Sequence, residues 1–166
     1  MEQIEIKILE SQDWDYATAL IWRVFLRCNA ADYEQEGIES FLNFISDEHL
    51  RMFCSIGEFE GYGAYLGGRL VGVCMMRQTG HLSLLFIDTD YHKKGIGSKL
   101  LRHVSDIARS RGRVRLTVNA TPYGTGFYHR TGFKDTGPEQ IKEGVRYIPM
   151  ELRFEQTDPG ISSQTR

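Results

Sequence analysis

Paired cysteines, long apolar runs and an excess of either charge are all missing from these 166 residues. The three cysteines, Cys28, Cys54 and Cys74, are far apart and form no C-x-x-C pair. That excludes a disulfide framework and reads as buried free thiols in a reducing compartment. The longest apolar run, "VGVCMM", is strand-sized, against the roughly 20 residues a bilayer span needs. The opening "MEQIEIKILE" alternates charged and apolar residues, so it reads as a strand and not as a secretory signal. A formal net charge of −2 provides no basic field for non-specific nucleic-acid binding. No histidines have ligand spacing: His81 and His92 are separated by a strand and a turn, and His103 and His129 lack a partner at i+4. The expectation is a soluble cytoplasmic protein with no metal, membrane or nucleic-acid partner.

What the chain does have is periodicity. Ile4, Ile6 and Ile8 alternate as in a strand. Ser11 is placed to cap a helix whose stripe is Trp14, Ala17, Ile21, Val24, Phe25 and Cys28. A second helix follows around Phe41, Leu42 and Ile45, its end falling somewhere in "DEHLRMFCS". "GYGAYL" and "RLVGVCMMRQ" flank Gly67-Gly68 as in a tight hairpin, and "HLSLLFID" is apolar enough for burial on both faces. A helix carrying Leu100, Leu101, Val104, Ile107 and Ala108 stops at Gly112, and the strand "VRLTVNA" follows. Thr121 and Pro122 read as cap and first position of a short helix ending at Gly132. Two further strands close the pattern, the last with Ile148, Met150, Leu152 and Phe154 on one face. No repeat or linker divides the chain. Residues 1–155 read as one mixed α/β domain and 156–166 as a polar tail.

The chemistry is concentrated in "DYHKKGIGSKLL", where Gly95 and Gly97 open a helix among Lys93, Lys94 and Lys99. Such a turn points unpaired amides outward at the positive end of a helix dipole, a site for phosphate. It is not a P-loop, because Gly97 is followed by Ser98 and no G-K pair is present. Nor is it a dinucleotide fingerprint, because position 100 is Leu where a third glycine belongs. "LLFIDTDYHKKGIGSKLL" instead resembles the cofactor motif of the GNAT superfamily of N-acetyltransferases, an apolar strand followed by [QR]-x-x-G-x-[GA] entering a helix. Downstream, "VNATPYGTGFYHRTGF" resembles that family's second signature, and the element order agrees over nearly the whole chain.

The resemblance implies a GNAT fold: a central, mixed, mostly antiparallel, twisted sheet of about seven strands, with helices on both faces and a splay between the fourth and fifth strands. It implies acetyl-CoA as cosubstrate, with the pyrophosphate held by the loop His92, Lys93, Lys94, Gly95, Ile96, Gly97 and Ser98. The pantetheine arm would lie along Leu85, Phe86 and Ile87, with Asn119 and Phe127 on the far side. His92 stands where the family usually has Gln or Arg, which leaves a side-chain contact to phosphate open and the amide cradle intact. Tyr128 takes the position of the family's tyrosine acid, and a phenol is protonated at neutral pH, able to give its proton to the sulfur or only to orient it; the competing reading is a core aromatic beside Phe127 and Phe133. An unpaired amide near Ile87 would polarise the thioester carbonyl.

Asp88, Glu58, Glu60 and His81 flank the strands, each more in keeping with a solvated strand end than with a general base, so none is assigned. Asp32, Glu34, Glu36 and Glu39 form either an acidic rim for a cationic amine or simply a solvated loop. The function expected is transfer of an acetyl group to a primary amine of a small molecule or peptide by direct attack in a ternary complex. The alternative is a CoA-binding module without turnover. A homodimer would also be in keeping with the family.

Overall fold

Alternation at the amino end makes an edge strand, and the rest of the sheet is laid beside it. In the computed structural model, which describes residues 3–155, β1 (Ile4–Ile8) pairs antiparallel with β2 (Phe59–Leu66). Between them run α1 (Trp14–Cys28), α2 (Gln35–Phe44) and α3 (Asp47–Ser55). Gly67 and Gly68 supply the positive φ angles of a two-residue hairpin, 57° and 80°, and β3 (Arg69–Arg77) folds back on β2. After β4 (His81–Ile87) come α4 (Ile96–Ser110), β5 (Arg115–Ala120) and α5 (Thr125–Arg130). The short strands β6 (Lys134–Asp135) and β7 (Gln140–Lys142) precede β8 (Val145–Arg153). The sheet order is β1-β2-β3-β4-β5-β8-β6, with β7 attached to β8. Every pairing is antiparallel except that of β4 with β5. The fold is the mixed, mostly antiparallel sheet expected, with eight strands in place of about seven.

Two apolar cores lie on the two faces. Ile96, Leu100, Leu101, Val104 and Ala108 of α4 pack with Leu116, Val118, Met150 and Phe154. On the opposite face Trp14, Ala17, Leu20, Ile21 and Val24 of α1 pack with Val73, Met75 and Leu84. Each fully buried side chain of this size contributes about 1.5–3 kcal/mol, so the stripes read from the sequence are what hold both helices to the sheet. β4 feeds both cores: Leu82, Leu85 and Ile87 face α4, and Leu84 and Phe86 face α1. Among the described residues no helix is long and apolar enough to cross a membrane.

The expectations fail at the joints. Ser11 does not cap α1; it opens a 3-10 turn (Ser11–Asp13), and the amide of Glu10 donates to Asp13 Oδ2 at 2.8 Å. The second helix is two helices, broken at Ile45, which is buried, while Leu42 is 47 % exposed. Thr121 and Pro122 lie in a turn closed by the Gly124 amide on the Thr121 carbonyl at 2.8 Å, so α5 starts three residues late. The closing pair of strands is three, with β7 and β8 joined through Glu143 and Gly144 at φ 54° and 80°. The tail expected over 156–166 lies outside the described residues.

Candidate active site

β4 and β5 begin side by side and then part. They pair only at His81↔Thr117 and Leu82↔Val118, where His81 Nδ1 also meets Thr117 Oγ1 at 2.8 Å. Beyond that point β4 stays with β3, and β5 stays with β8. The β3–β4 register shifts between Met75 and Met76, leaving Ser83 as the extra residue of a bulge. The shift changes which main-chain groups face the gap. The Asp88 amide donates to the Val71 carbonyl at 2.9 Å, so by alternation Phe86 and Leu84 also turn toward β3. Leu85 and Ile87 therefore turn their amides and carbonyls into an opening with no strand opposite.

Past β4 the chain tightens. Asp88, 3 % exposed, accepts the Asp90 amide on Oδ1 at 3.1 Å. His92 Nε2 lies 2.7 Å from the Ile87 carbonyl; a carbonyl only accepts, so Nε2 carries the hydrogen. Nδ1 is then left to accept from the Tyr123 hydroxyl at 3.4 Å. The ring ties the loop back to β4, so its donor is engaged by Ile87 and is not free for phosphate. Lys93 (φ 63°) and Gly95 (φ 79°) bend the chain into α4, whose first internal bond is Lys99 N–H to Gly95 C=O at 3.1 Å. No acceptor is found among the described residues for the amides of Lys93, Gly95, Ile96, Gly97 and Ser98. A run of unengaged donors at a helix start makes a site for an anion. Gly97 keeps the approach open: a Cβ there would stand 3.2 and 3.3 Å from ring carbons of Phe127.

The far wall is α5 and the end of β5. Leu116, Val118 and Ala120 are buried, and the intervening Asn119 is exposed at the gap. Tyr128 is 8 % exposed, set edge-on to Phe127 and Phe133 with ring centroids 5.2 Å apart in each pair. Burial, with a smaller contribution from Cys74, pushes its phenol well above the usual tyrosine value. Tyr128 is thus both core aromatic and cleft residue.

The opening is a cleft of about 760 Å³. Of the residues expected at the site, Leu85, Phe86, Ile87, Asn119, Phe127 and Tyr128 line it, as do His92, Lys93, Gly95, Ile96, Gly97 and Ser98. Lys94 does not; its ammonium lies over the Tyr91 ring, 5.5 Å from the centroid. The connection after the first helix, expected at the acceptor side through its acids, does contribute to a third wall, but that wall is made by Val24, Asn29, Tyr33, Phe41 and Phe44 and by none of the acids. Its one signal was the break in helical pattern at "CNAADY".

None of the acids considered as a base lines the cleft. Asp88 is held by Arg23 at 3.0 Å, with Arg69 at 4.0 Å. Glu60 accepts from Arg111 and Tyr62, each at 2.5 Å, and the Arg111 hydrogen bond holds its carboxyl below the usual range. Glu58 is exposed, and burial lowers the pKa of His81. The acidic loop also lies off the cleft: Asp32 pairs with Arg146 at 3.8 Å, and Glu39 accepts from Gln35. Among the described residues no group of three His, Cys, Asp or Glu side chains could hold a metal ion.

Known proteins carry the same architecture. A solved structure of PaiA N-acetyltransferase from Thermoplasma acidophilum, in complex with coenzyme A, superimposes with a TM-score of 0.78 at 23 % identity, covering 92 % of this chain and 99 % of that one. Glucosamine 6-phosphate N-acetyltransferase 1 of Oryza sativa subsp. japonica is 34 % identical over 56 residues, 34 % of each chain. Peptidyl-lysine N-acetyltransferase YjaB of Salmonella typhimurium is 37 % identical over 73 residues, 42 % of this chain and 47 % of that one. The chain thus spans less than half the length of the curated relatives it matches. Residues 29–154, which hold the splay, the amide loop and α5, match the family model described as an acetyltransferase (GNAT) domain, and the chain belongs to the GNAT acetyltransferase family.

Proposed function

We propose that the protein is an acetyl-CoA-dependent N-acetyltransferase that acetylates a primary amine of a small molecule or peptide by direct attack in a ternary complex. The observation carrying this reading is that the unengaged amides at the start of α4, a parted strand pair and a buried tyrosine meet at one cleft. The site fits acetyl-CoA on its own geometry: the amides suit a pyrophosphate, and the free edge of β4 offers a strand-like partner to the two amides of a pantetheine arm. Acetyl-CoA supplies an acetyl group activated as a thioester.

The protein's own groups then divide the work. The amides of Ile96, Gly97 and Ser98 hold the phosphates, with Lys93 adding charge at the rim. Of the two β4 amides turned into the gap, that of Leu85 is farther from the phosphate loop and donates to the carbonyl oxygen as negative charge develops there, leaving Ile87 to the pantetheine arm. The amine nitrogen forms its bond to the carbonyl carbon, the carbon–sulfur bond breaks, and the electron pair leaves on sulfur. Tyr128 gives its phenolic proton to that sulfur and is reprotonated from solvent. The extra proton on nitrogen leaves to water, since among the described residues no carboxylate lines the cleft.

Calorimetry with CoA, together with thiol release from acetyl-CoA across a panel of amines, tests this reading. Micromolar CoA binding with amine-dependent thiol release is the expected result. Binding without turnover for any acceptor would assign a CoA-binding module instead, and no CoA binding would refute both.

A further inference from the structure

The third wall of the cleft has a character of its own. Phe41 stacks on Phe25 with centroids 4.1 Å apart, Phe86 sits 5.8 Å from Phe41, and Tyr33 stands edge-on to Phe25 at 4.8 Å. Phe25 is fully buried beneath, while Tyr33, Phe41, Phe44 and Phe86 are only half-buried and present ring surface to the opening. The wall is braced from the far end of the chain. Tyr33 bridges to Val145, and the Glu34 amide donates to the Gly144 carbonyl at 3.0 Å. Among the described residues no Asp or Glu lines the cleft, and its Lys and Arg residues are Lys93 on the phosphate loop and Arg130 on α5. The polar groups on this wall are neutral. Asn29, 9 % exposed, donates its amide nitrogen to Thr121 Oγ1 at 3.3 Å, which leaves its carbonyl oxygen as an acceptor.

An ammonium group moved from water onto such a wall loses hydration and gains no counter-charge, only about 0.5–2 kcal/mol of attraction to ring faces, whereas a flat ring gains apolar contact at no such cost. We propose that the acceptor is a primary amine joined to an aromatic ring through a short alkyl chain, bound with its nitrogen uncharged, its ring against Phe41 and Phe86 and its N–H groups toward Asn29 and Asn119. The proposal rests on the acyl-transfer reading and narrows it: polyamines, lysine side chains in charged peptides and sugar phosphates fit this wall poorly. A neutral nitrogen also has its lone pair ready for attack, so no enzyme base is required.

The test compares 2-phenylethylamine with butylamine, spermidine, a lysine peptide and glucosamine 6-phosphate. Each is titrated into the CoA-loaded protein and assayed with acetyl-CoA. The aromatic amine should bind and react about tenfold or more better than butylamine, and better still than the polar acceptors. Phe41→Ala should remove that preference through KM while CoA affinity stays the same. Phe41→Leu, which keeps apolar volume over Phe25, serves where the alanine variant fails to fold. For the neutral nitrogen, kcat/KM should climb with pH to a plateau that moves with the acceptor's own pKa. Equal or better use of spermidine, the peptide or the sugar phosphate would overturn the proposal, as would an unchanged ring preference in either Phe41 variant. Loss of CoA binding would count instead against the acyl-transfer reading, with the ring preference then judged from amine binding alone.

Discussion

Replacing Gly97 with valine separates the cradle from the helix that carries it. The added Cβ would meet Phe127 ring carbons at 3.2 and 3.3 Å and Ile87 at 3.8 Å, so the branched carbons beyond it enter the cleft between α4 and α5. Two effects on stability oppose each other. A glycine in the first turn of α4 costs up to ~1 kcal/mol in helix propensity, which valine partly recovers. Crowding Phe127 off its preferred rotamer costs about 0.5–1.5 kcal/mol. The melting temperature should therefore move by no more than roughly 4 °C. Binding has no such offset. Denying a phosphate oxygen one charge-assisted amide bond costs roughly 1.5–3 kcal/mol. That corresponds to a rise in CoA Kd of about 10- to 150-fold. Gly95→Ala is the control with the opposite signature: its Cβ would meet nothing within 4 Å, but φ of 79° is left-handed. That strain costs roughly 1–2 kcal/mol and appears as a lower melting temperature. Calorimetric titration with CoA, paired with thermal melts, reads both. A folded Gly97→Val protein with wild-type CoA affinity would refute the cradle.

Other residues make separable predictions. Tyr128→Phe should lower kcat roughly 10²-fold with CoA affinity unchanged, since only the hydroxyl is lost. Because burial raises the Tyr128 pKa, the acid keeps its proton in alkaline solution, and the wild-type rate should show no fall from its ionisation up to pH about 10; a tyrosine-dependent fall near pH 8 would contradict this. Asp88→Asn should cost stability and spare chemistry: it breaks the pair with Arg23, itself half exposed, for roughly 1–3 kcal/mol, whereas a collapse of kcat would restore Asp88 as a base. Gly37→Ala places a Cβ 2.6 Å from the Gly144 carbonyl, where backbone lies on both sides. It should destabilise by about 1–3 kcal/mol and raise the amine KM without touching CoA binding, since the displaced wall lies on the acceptor side.

Legibility from the sequence followed the range of the interaction. The α1 and α4 stripes, the Gly67-Gly68 hairpin and the double-sided burial of β4 are local patterns, and each reappears in the fold. The glycine turn before α4 was equally plain, because positive φ at Gly95 and the missing Cβ of Gly97 leave their mark on a few adjacent letters. The Ser83 bulge leaves none, although it decides that Leu85 and Ile87, and not Phe86, turn their amides into the gap. The third wall was hidden for another reason. Tyr33 and Glu34 are held by Val145 and Gly144, over a hundred residues away, so no window around "ADYEQEG" contains the cause of their position. That distance also explains why the acidic residues suggested a rim. Four carboxylates close in sequence look like a surface for cations, yet the hairpin turns aromatic rings toward the cleft and leaves the acids outside it.

Amide-resolved NMR of the protein titrated with acetyl-CoA addresses the main-chain cradle without any substitution. The amides of Lys93 through Ser98 should show the largest shifts, joined by Leu85 and Ile87 in the gap, with slowed hydrogen exchange at Ile96, Gly97 and Ser98. Saturable binding that leaves all of these amides unmoved would show that the thioester is held elsewhere, and the parted strands would have no part in the chemistry.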